Sequence, residues 1–139
     1  MASQVRDLMS TELAAVDPHA PVAEAARLMR DQDVGGVILE HDGHLVGLLT
    51  DRDIAVRAVA DNRSPQETEA QEIASKDLET LKPDDDIDAA VALMRKTAVR
   101  RAPVVDQGKV VGIVSLGDLA RVKDERSALA DISSAPANT

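Results

Sequence analysis

The chain contains an internal duplication, because residues 5–55 align without a gap to residues 70–120. At this offset of 65 residues, thirteen aligned pairs are identical, about a quarter of the total, and the apolar pattern stays in register. The identical pairs are Ser10/Ser75, Leu13/Leu78, Pro18/Pro83, Ala25/Ala90, Leu28/Leu93, Met29/Met94, Arg30/Arg95, Val34/Val99, Gly43/Gly108, Val46/Val111, Gly47/Gly112, Asp53/Asp118 and Ala55/Ala120. Self-similarity at one fixed spacing indicates that each copy is one structural unit. We therefore predict one small fold made twice.

Hydrophobic spacing and turn residues predict the same order of elements in both repeats. In repeat one they are an entry helix at 5–9, a strand at 13–16, a helix that begins at Pro21, a hairpin of strands 37–40 and 45–49, and a helix at 50–60. In repeat two they are a strand at 79–81, a helix at 87–97, a hairpin of strands 101–106 and 109–114, and a helix from Ser115. Gly43 in the first hairpin turn is free to adopt a positive φ angle.

This order defines an α/β (α+β) fold, in which each repeat is a β-α-β-β-α unit. The first two strands, joined by a helix, should lie parallel through a right-handed crossover, and the next two form an antiparallel hairpin. One unit of this size buries too little apolar surface to be stable alone. We expect the two repeats to pack sheet to sheet with pseudo-two-fold symmetry. The boundaries are 5–60 for repeat one, 61–69 for a polar linker, 70–125 for repeat two and 126–139 for a mobile tail.

Composition excludes several classes of function. The chain has no cysteine, so a disulfide, a thiolate metal site and a cysteine nucleophile are excluded. A net charge of −9 and the absence of Phe, Trp and Tyr argue against nucleic-acid binding. No apolar run approaches the roughly 18 residues of a membrane span, and the N-terminus lacks the pattern of a secretory signal. We expect a cytoplasmic protein that binds neither nucleic acid nor membrane.

The most informative motif is a glycine, two apolar residues, a hydroxyl residue and, three positions later, an aspartate. It occurs at residues 47–53 with Thr50 and Asp53, and at residues 112–118 with Ser115 and Asp118. A hydroxyl followed at this distance by an acid is typical of a helix start, whose partial positive charge also suits an anion. Two interpretations stay open: a pair of ligand sites, or two plain helix caps worth about 1 kcal/mol each.

Taken together, the chain resembles a tandem pair of cystathionine β-synthase (CBS) domains. The resemblance depends on the repeated helix-start motif, the turns at Pro18 and Pro83, and the segment 99–106, Val-Arg-Arg-Ala-Pro-Val-Val-Asp. It covers roughly residues 5–125 and is closest to small stand-alone bacterial proteins. The resemblance implies a regulatory module that binds an adenosine-containing ligand (AMP, ADP, ATP or S-adenosylmethionine) in clefts between the repeats. It also implies a homodimer.

The resemblance assigns roles to particular residues. Asp53 and Asp118 resemble the aspartates that bind ribose, and Thr50 and Ser115 resemble the hydroxyl residues that bond ribose or phosphate. Residues matching phosphate-binding and base-contacting positions are Arg100 and Arg101 for phosphate, and Thr80, Leu81, Ala102 and Pro103, with Val16 and Ile38 in repeat one, for the base. Arginine offers a fork of donors that fits phosphate.

Repeat one departs from the family pattern. Ile38 stands where a proline is expected, and Gly35 and Gly36 replace the two arginines. Arg52, within the helix-start motif, is the candidate substitute for phosphate binding. We therefore expect the second site to bind phosphate better than the first, the alternative being that Arg100 and Arg101 form a solvated charge pair.

The sequence leaves three functions to be distinguished. The preferred hypothesis is an adenine-nucleotide sensor that signals to a protein partner in trans. The alternative is a dimeric scaffold of the same fold that binds no ligand. An enzyme is disfavoured, because the sequence offers no nucleophile with an orienting base. The acidic run 84–86 lacks the remaining loop ligands of a calcium site. The turn histidines His41 and His44 have Asp106 and Lys109 as counterparts in repeat two, so no shared site exists, and we expect no metal and no required cofactor.

Overall fold

The computed structural model describes residues 3–122, so the predicted tail at 126–139 lies outside the described residues. A short 3₁₀ turn, Val5–Asp7, comes first. The remaining elements are β1 Ala15–Val16, α1 Val22–Gln32, β2 Gly36–His41, β3 His44–Thr50, α2 Asp51–Asp53 continued as π-helical turns Ile54–Val59, α3 Ala70–Ile73, α4 Ile87–Thr97, β4 Arg101–Asp106 and β5 Lys109–Ser115. A last helix, α5, begins at Leu116 and reaches at least residue 122.

The strands confirm the mixed α/β class. β1 pairs parallel with β2, which pairs antiparallel with β3, and β4 pairs antiparallel with β5. The two hairpins are joined edge to edge by one pair, His44 of β3 with Lys109 of β5, so that the five strands form one sheet in the order β1-β2-β3-β5-β4. Gly43 and Gly108 both have a φ of +81°, as the predicted hairpin turns require.

The two longer helices are built alike and end alike. α1 buries Val22, Ala25 and Met29, and α4 buries the matching face of Ile87, Ala90, Val91 and Met94. Each ends on a left-handed residue, Asp33 or Ala98. Pro21, predicted as the first helical residue, is instead the N-cap, since its ψ of 148° is extended.

The strand predicted at residues 79–81 does not form. In its place, Leu81 makes a single parallel bridge with Val104. In repeat one, the N–H of Ile38 donates to the carbonyl of Ala14 at 2.8 Å and helps to fix β1. The matching residue in repeat two is Pro103, which has no N–H to donate. The prediction was therefore wrong for a local reason, the loss of one ladder hydrogen bond.

The entry segment of each repeat packs on the core of the other repeat. Val5 is fully buried in the cluster of repeat two, whereas Ala70 and Ile73 are buried in the cluster of repeat one. The hydrogen bonds follow the same exchange: Val5 N–H donates to the Asp85 carbonyl at 2.9 Å, and Ala70 N–H donates to the Ala20 carbonyl at 2.7 Å. The repeats are thus interlocked through their entry segments.

The same pseudo-two-fold relation holds at the return strands. Leu48 of β3 exchanges two backbone hydrogen bonds with Ser75, at 2.9 and 3.0 Å. Ile113 of β5 exchanges the matching pair with Ser10, at 2.8 and 3.0 Å. Each hairpin therefore receives a serine from the entry segment of the other repeat. The loop that follows Ser75 borders a cleft between the repeats.

The linker predicted at 61–69 is held against repeat one. Val22 N–H donates to the carbonyl of Thr68 at 2.9 Å, and the Thr68 side chain is buried. A salt bridge of 2.6 Å joins Arg63 to Glu72. The linker thus places the second entry segment on the core of repeat one.

Candidate functional site

A cleft of about 560 Å³ lies between the repeats and draws its walls from both of them. This volume lies within the range of small-molecule sites. Its lining residues are Leu48, Thr50, Asp51, Arg52 and Asp53 from repeat one, and Ser75, Asp77, Leu78, Glu79, Ala98, Val99, Arg100 and Arg101 from repeat two. Five residues predicted as site residues therefore line one cleft: Thr50, Arg52, Asp53, Arg100 and Arg101.

The start of α2 forms a complete capping box. Thr50 Oγ1 accepts from the N–H of Asp53 at 3.1 Å, and Asp53 Oδ2 accepts from the N–H of Thr50 at 3.0 Å. The Asp53 side chain is only 12% exposed, and its Oδ1 lies 4.0 Å from Nε of Arg57. The cap fixes the carboxylate in one orientation while Oδ1 keeps acceptor capacity. The capping and ligand-binding interpretations are therefore compatible here.

Replacing Thr50 with alanine should destabilise the protein by about 1 kcal/mol, because Asp53 N–H then loses its acceptor. Thr11 is a matched control, since it is exposed, and Thr11→Ala should change stability by less than about 0.5 kcal/mol. Urea unfolding of both variants measures the difference. Equal stabilities would mean that the observed cap contributes nothing.

The arginines are anchored on repeat two but reach toward repeat one. The backbone of Arg101 pairs with Ser115 of β5, and the Arg100 carbonyl accepts from Leu116 N–H at 2.7 Å. The Arg101 side chain extends over Gly35 and Gly36: a Cβ on Gly35 would lie 3.1 Å from its Cζ. Gly36 in turn pairs with Thr50. This chain of contacts brings the guanidinium to the helix start of the other repeat.

The wall opposite the helix start is the loop after Ser75. Ser75, Asp77, Leu78 and Glu79 all line the cleft, and none of them was predicted as a site residue. A signal was present, because Ser75 and Leu78 are identical to their partners in the duplication. Because Pro103 cannot donate, the carbonyl of Glu79 also lacks the hydrogen bond that Ala14 receives in repeat one.

The helix start of repeat two lies elsewhere. Ser115 Oγ accepts from Asp118 N–H at 3.1 Å, but the Asp118 carboxylate accepts from Arg121 and is 45% exposed. Neither Ser115 nor Asp118 lines the cleft described above. The role assigned to this pair by the resemblance stays a prediction.

The residues predicted to contact the base lie beside the cleft or in the core. Thr80 is exposed, next to Glu79 of the cleft wall. The others are buried in or against the strands: Leu81, Ala102, Pro103, Val16 and Ile38. None of the six is among the residues that line the cleft, so their role as base contacts also stays a prediction.

A second hollow of about 430 Å³ is lined by Ser10, Glu12, Leu13, Gln32 and Val34. Four of these residues match Ser75, Asp77, Leu78 and Val99 of the first cleft at the repeat offset. Its lining has one charged side chain, Glu12, and no arginine or lysine. The two hollows are therefore related by the duplication but differ in charge.

The charges of the first cleft divide into two kinds. Three arginines and the start of α2 favour an anion. Four acids also border the cleft, namely Asp51, Asp53, Asp77 and Glu79, and a carboxylate accepts hydrogen bonds from hydroxyl or amino groups. The lining thus suits a molecule that has both an anionic group and several hydrogen-bond donors.

Within residues 3–122, no group of three or more His, Asp or Glu side chains is arranged to hold a metal ion. No helix in this range is both long and apolar enough to cross a bilayer.

The structure is thus a duplicated α/β unit with a mixed-charge cleft between its two copies. Comparison of the sequence with known families is specific: residues 5–59 and 70–125 each match the CBS domain. The chain therefore belongs to the CBS domain family, as a tandem pair.

Relatives agree with this assignment. The chain is 44% identical over 118 residues to CBS domain-containing protein YhcV of Bacillus subtilis, covering 85% of this chain and 84% of that one. It is 34% identical over 117 residues to hypoxic response protein 1 of Mycobacterium tuberculosis, covering 84% and 82%.

Among solved structures, the CBS domain pair of protein MJ0100, in complex with 5′-methylthioadenosine and S-adenosyl-L-methionine, aligns with a TM-score of 0.79 and 28% identity. It covers 88% of this chain and 97% of that one. The structure of hypoxic response protein I, with two coordinated zinc ions, aligns with a TM-score of 0.77 and 33% identity, covering 85% and 97%.

Proposed function

We propose that this CBS pair is a regulatory module that binds an adenosine-containing nucleotide in the cleft between its repeats. The observation that carries the proposal is the meeting of Asp53 and Thr50 from repeat one with Arg100 and Arg101 from repeat two around one cleft. The adenosine compounds bound by the MJ0100 pair support the ligand class.

Each group has a role that follows from its chemistry. The Asp53 carboxylate, oriented by the capping box, accepts hydrogen bonds from the ribose hydroxyls through Oδ1. Arg100 and Arg101, with Arg52 beside them, contact the phosphates, and the start of α2 adds its partial positive charge. For the base, the proposal assigns the Glu79 carbonyl, to which Pro103 cannot donate, and the neighbouring Thr80 as acceptors for its amino group.

Ligand binding in the cleft regulates the protein by holding the two repeats in one relative arrangement. A ligand that contacts both walls stabilises one relative arrangement of the two repeats, and it can shift the arrangement only as far as its affinities for the two states differ. We propose that the signal passes to a separate protein partner, with the chain acting as a homodimer. No role in catalysis is proposed.

Thermal unfolding in the presence of AMP, ADP, ATP, S-adenosylmethionine or NAD tests the proposal. A ligand at 100 times its dissociation constant should add about 2.7 kcal/mol to the free energy of unfolding. Because the chain has no tryptophan, an external dye reports unfolding.

Two matched variants locate the site. Asp53→Asn should lose the ligand-induced shift, measured against the same variant without ligand. Asp118→Asn, measured in the same way, tests the role that the resemblance assigns to the second helix start, and a lost shift there would show that this helix start also binds the ligand. If no nucleotide raises the melting temperature, the protein is better described as a ligand-free scaffold. If Asp53→Asn keeps the full shift, the ligand binds elsewhere.

A further inference from the structure

The two glycines that replace arginines in repeat one lie directly beneath an arginine of repeat two. A Cβ added to Gly35 would meet Nη2 of Arg101 in a clash and would lie 3.1 Å from its Cζ. A Cβ added to Gly36 would lie 3.4 Å from Cδ of the same side chain, which is an ordinary contact. The guanidinium therefore occupies the space that a side chain at position 35 would need.

Backbone conformation does not explain the glycine at position 35. The positive-φ glycines among residues 3–122 are Gly43 and Gly108, so Gly35 has a backbone that other residues can adopt. What a side chain at this position would disturb is the Arg101 guanidinium on one side and Asp51 Oδ2, 3.3 Å away, on the other.

The backbone around Gly35 also places the Arg101 side chain next to the start of α2. Asp51 N–H donates to the Gly35 carbonyl at 3.0 Å, and Gly36 pairs with Thr50 across β2 and β3. An arginine laid over these two glycines is thereby held beside the first turn of α2, where Thr50 and Asp53 face the cleft.

We infer that Gly35 is a positioning residue for phosphate recognition, because its missing side chain lets Arg101 cross from repeat two to the helix start of repeat one. The inference rests on the proposed function for its ligand. It changes the meaning of the glycine at position 35, which is the passage for an arginine of repeat two rather than part of a lost arginine pair. The chain then has one phosphate-binding cleft, consistent with the absence of arginine and lysine from the lining of the second hollow.

The test compares Gly35→Ala with Gly36→Ala by calorimetric titration of AMP and of adenosine. Gly35→Ala should weaken AMP binding about tenfold, the order expected for one lost charge-assisted hydrogen bond, and leave adenosine binding unchanged. Gly36→Ala should leave both unchanged. Arg101→Gln should weaken AMP binding in the wild-type chain and have little further effect in Gly35→Ala, because both changes act through one contact.

A ligand-free readout separates this inference from the proposed function. The Arg101 Nε–Hε NMR signal, assigned by its loss in Arg101→Gln, should move in Gly35→Ala and stay in place in Gly36→Ala. If the wild-type chain binds no adenosine compound, the proposed function fails, and this signal still tests the contact. If AMP binds and the two alanine variants behave alike, the inference fails and the proposed function stands.

A folding defect in Gly35→Ala is also informative. The double variant Gly35→Ala/Arg101→Gln removes the group with which the new Cβ clashes, so it should fold when Gly35→Ala does not. Failure of the double variant to fold would show that Gly35 is needed for a reason other than Arg101, which would overturn the inference.

Discussion

Replacing Arg100 and Arg101 together with glutamine should weaken nucleotide binding on the order of 100-fold or more and leave adenosine binding nearly unchanged. Both side chains line the cleft beside the start of α2. A hydrogen bond to a charged group contributes about 1.5–3 kcal/mol, and every 1.4 kcal/mol is tenfold in affinity. Calorimetric titration with AMP and adenosine, at two salt concentrations, measures the effect. The salt dependence of AMP binding should also fall, because the affected contacts are ionic.

The matched control is Arg95→Gln with Lys96→Gln. Both residues are exposed in the last turn of α4, and the pair changes the net charge by the same amount as the arginine pair. A general loss of positive charge would weaken binding equally in both double variants. Equal losses would contradict a local phosphate site at Arg100 and Arg101, as would a loss of adenosine binding as large as that of AMP.

The duplication was the strongest guide to the fold. An offset that keeps helices, hairpins and turn glycines in register predicts each of these elements twice, and both copies of the hairpin and the long helix form. The strand predicted at residues 79–81 does not form because Pro103 lacks the backbone N–H that would donate the pairing hydrogen bond. An alignment of the two repeats predicts the same elements in both, so it does not show that one proline removes a strand, although the proline itself is visible in the sequence.

The candidate site shows what the sequence could not provide. Thr50, Asp53, Arg100 and Arg101 were each identified from the sequence, but they were assigned to two separate sites, one for each repeat. In the structure these four line one cleft, because the Arg101 side chain crosses between the repeats. Which residues share a site depends on how the two repeats face each other, whereas a repeat pattern in the sequence describes each repeat alone. For the same reason, the sequence alone suggests that Gly35 and Gly36 mark the loss of two phosphate-binding arginines from repeat one.

Because the entry segments are exchanged, truncating Ile73 should lower the free energy of unfolding by a large amount. By sequence this residue opens repeat two, yet its side chain is 2% exposed within the core of repeat one. Ile73→Ala should therefore destabilise repeat one by about 2–5 kcal/mol, the range for truncating a buried isoleucine. Urea unfolding measures the total loss, and hydrogen exchange should show the loss of protection concentrated in β2 and β3.

Val59→Ala is the control for Ile73→Ala, because Val59 is 71% exposed at the end of the π-helical turns that follow α2. It should change stability by less than about 0.5 kcal/mol. If each repeat were instead packed with its own entry segment, Ile73→Ala would lower protection in β4 and β5 and spare the first hairpin. That pattern would contradict the interlocked arrangement, and with it the route by which a ligand in the shared cleft could bias both repeats at once.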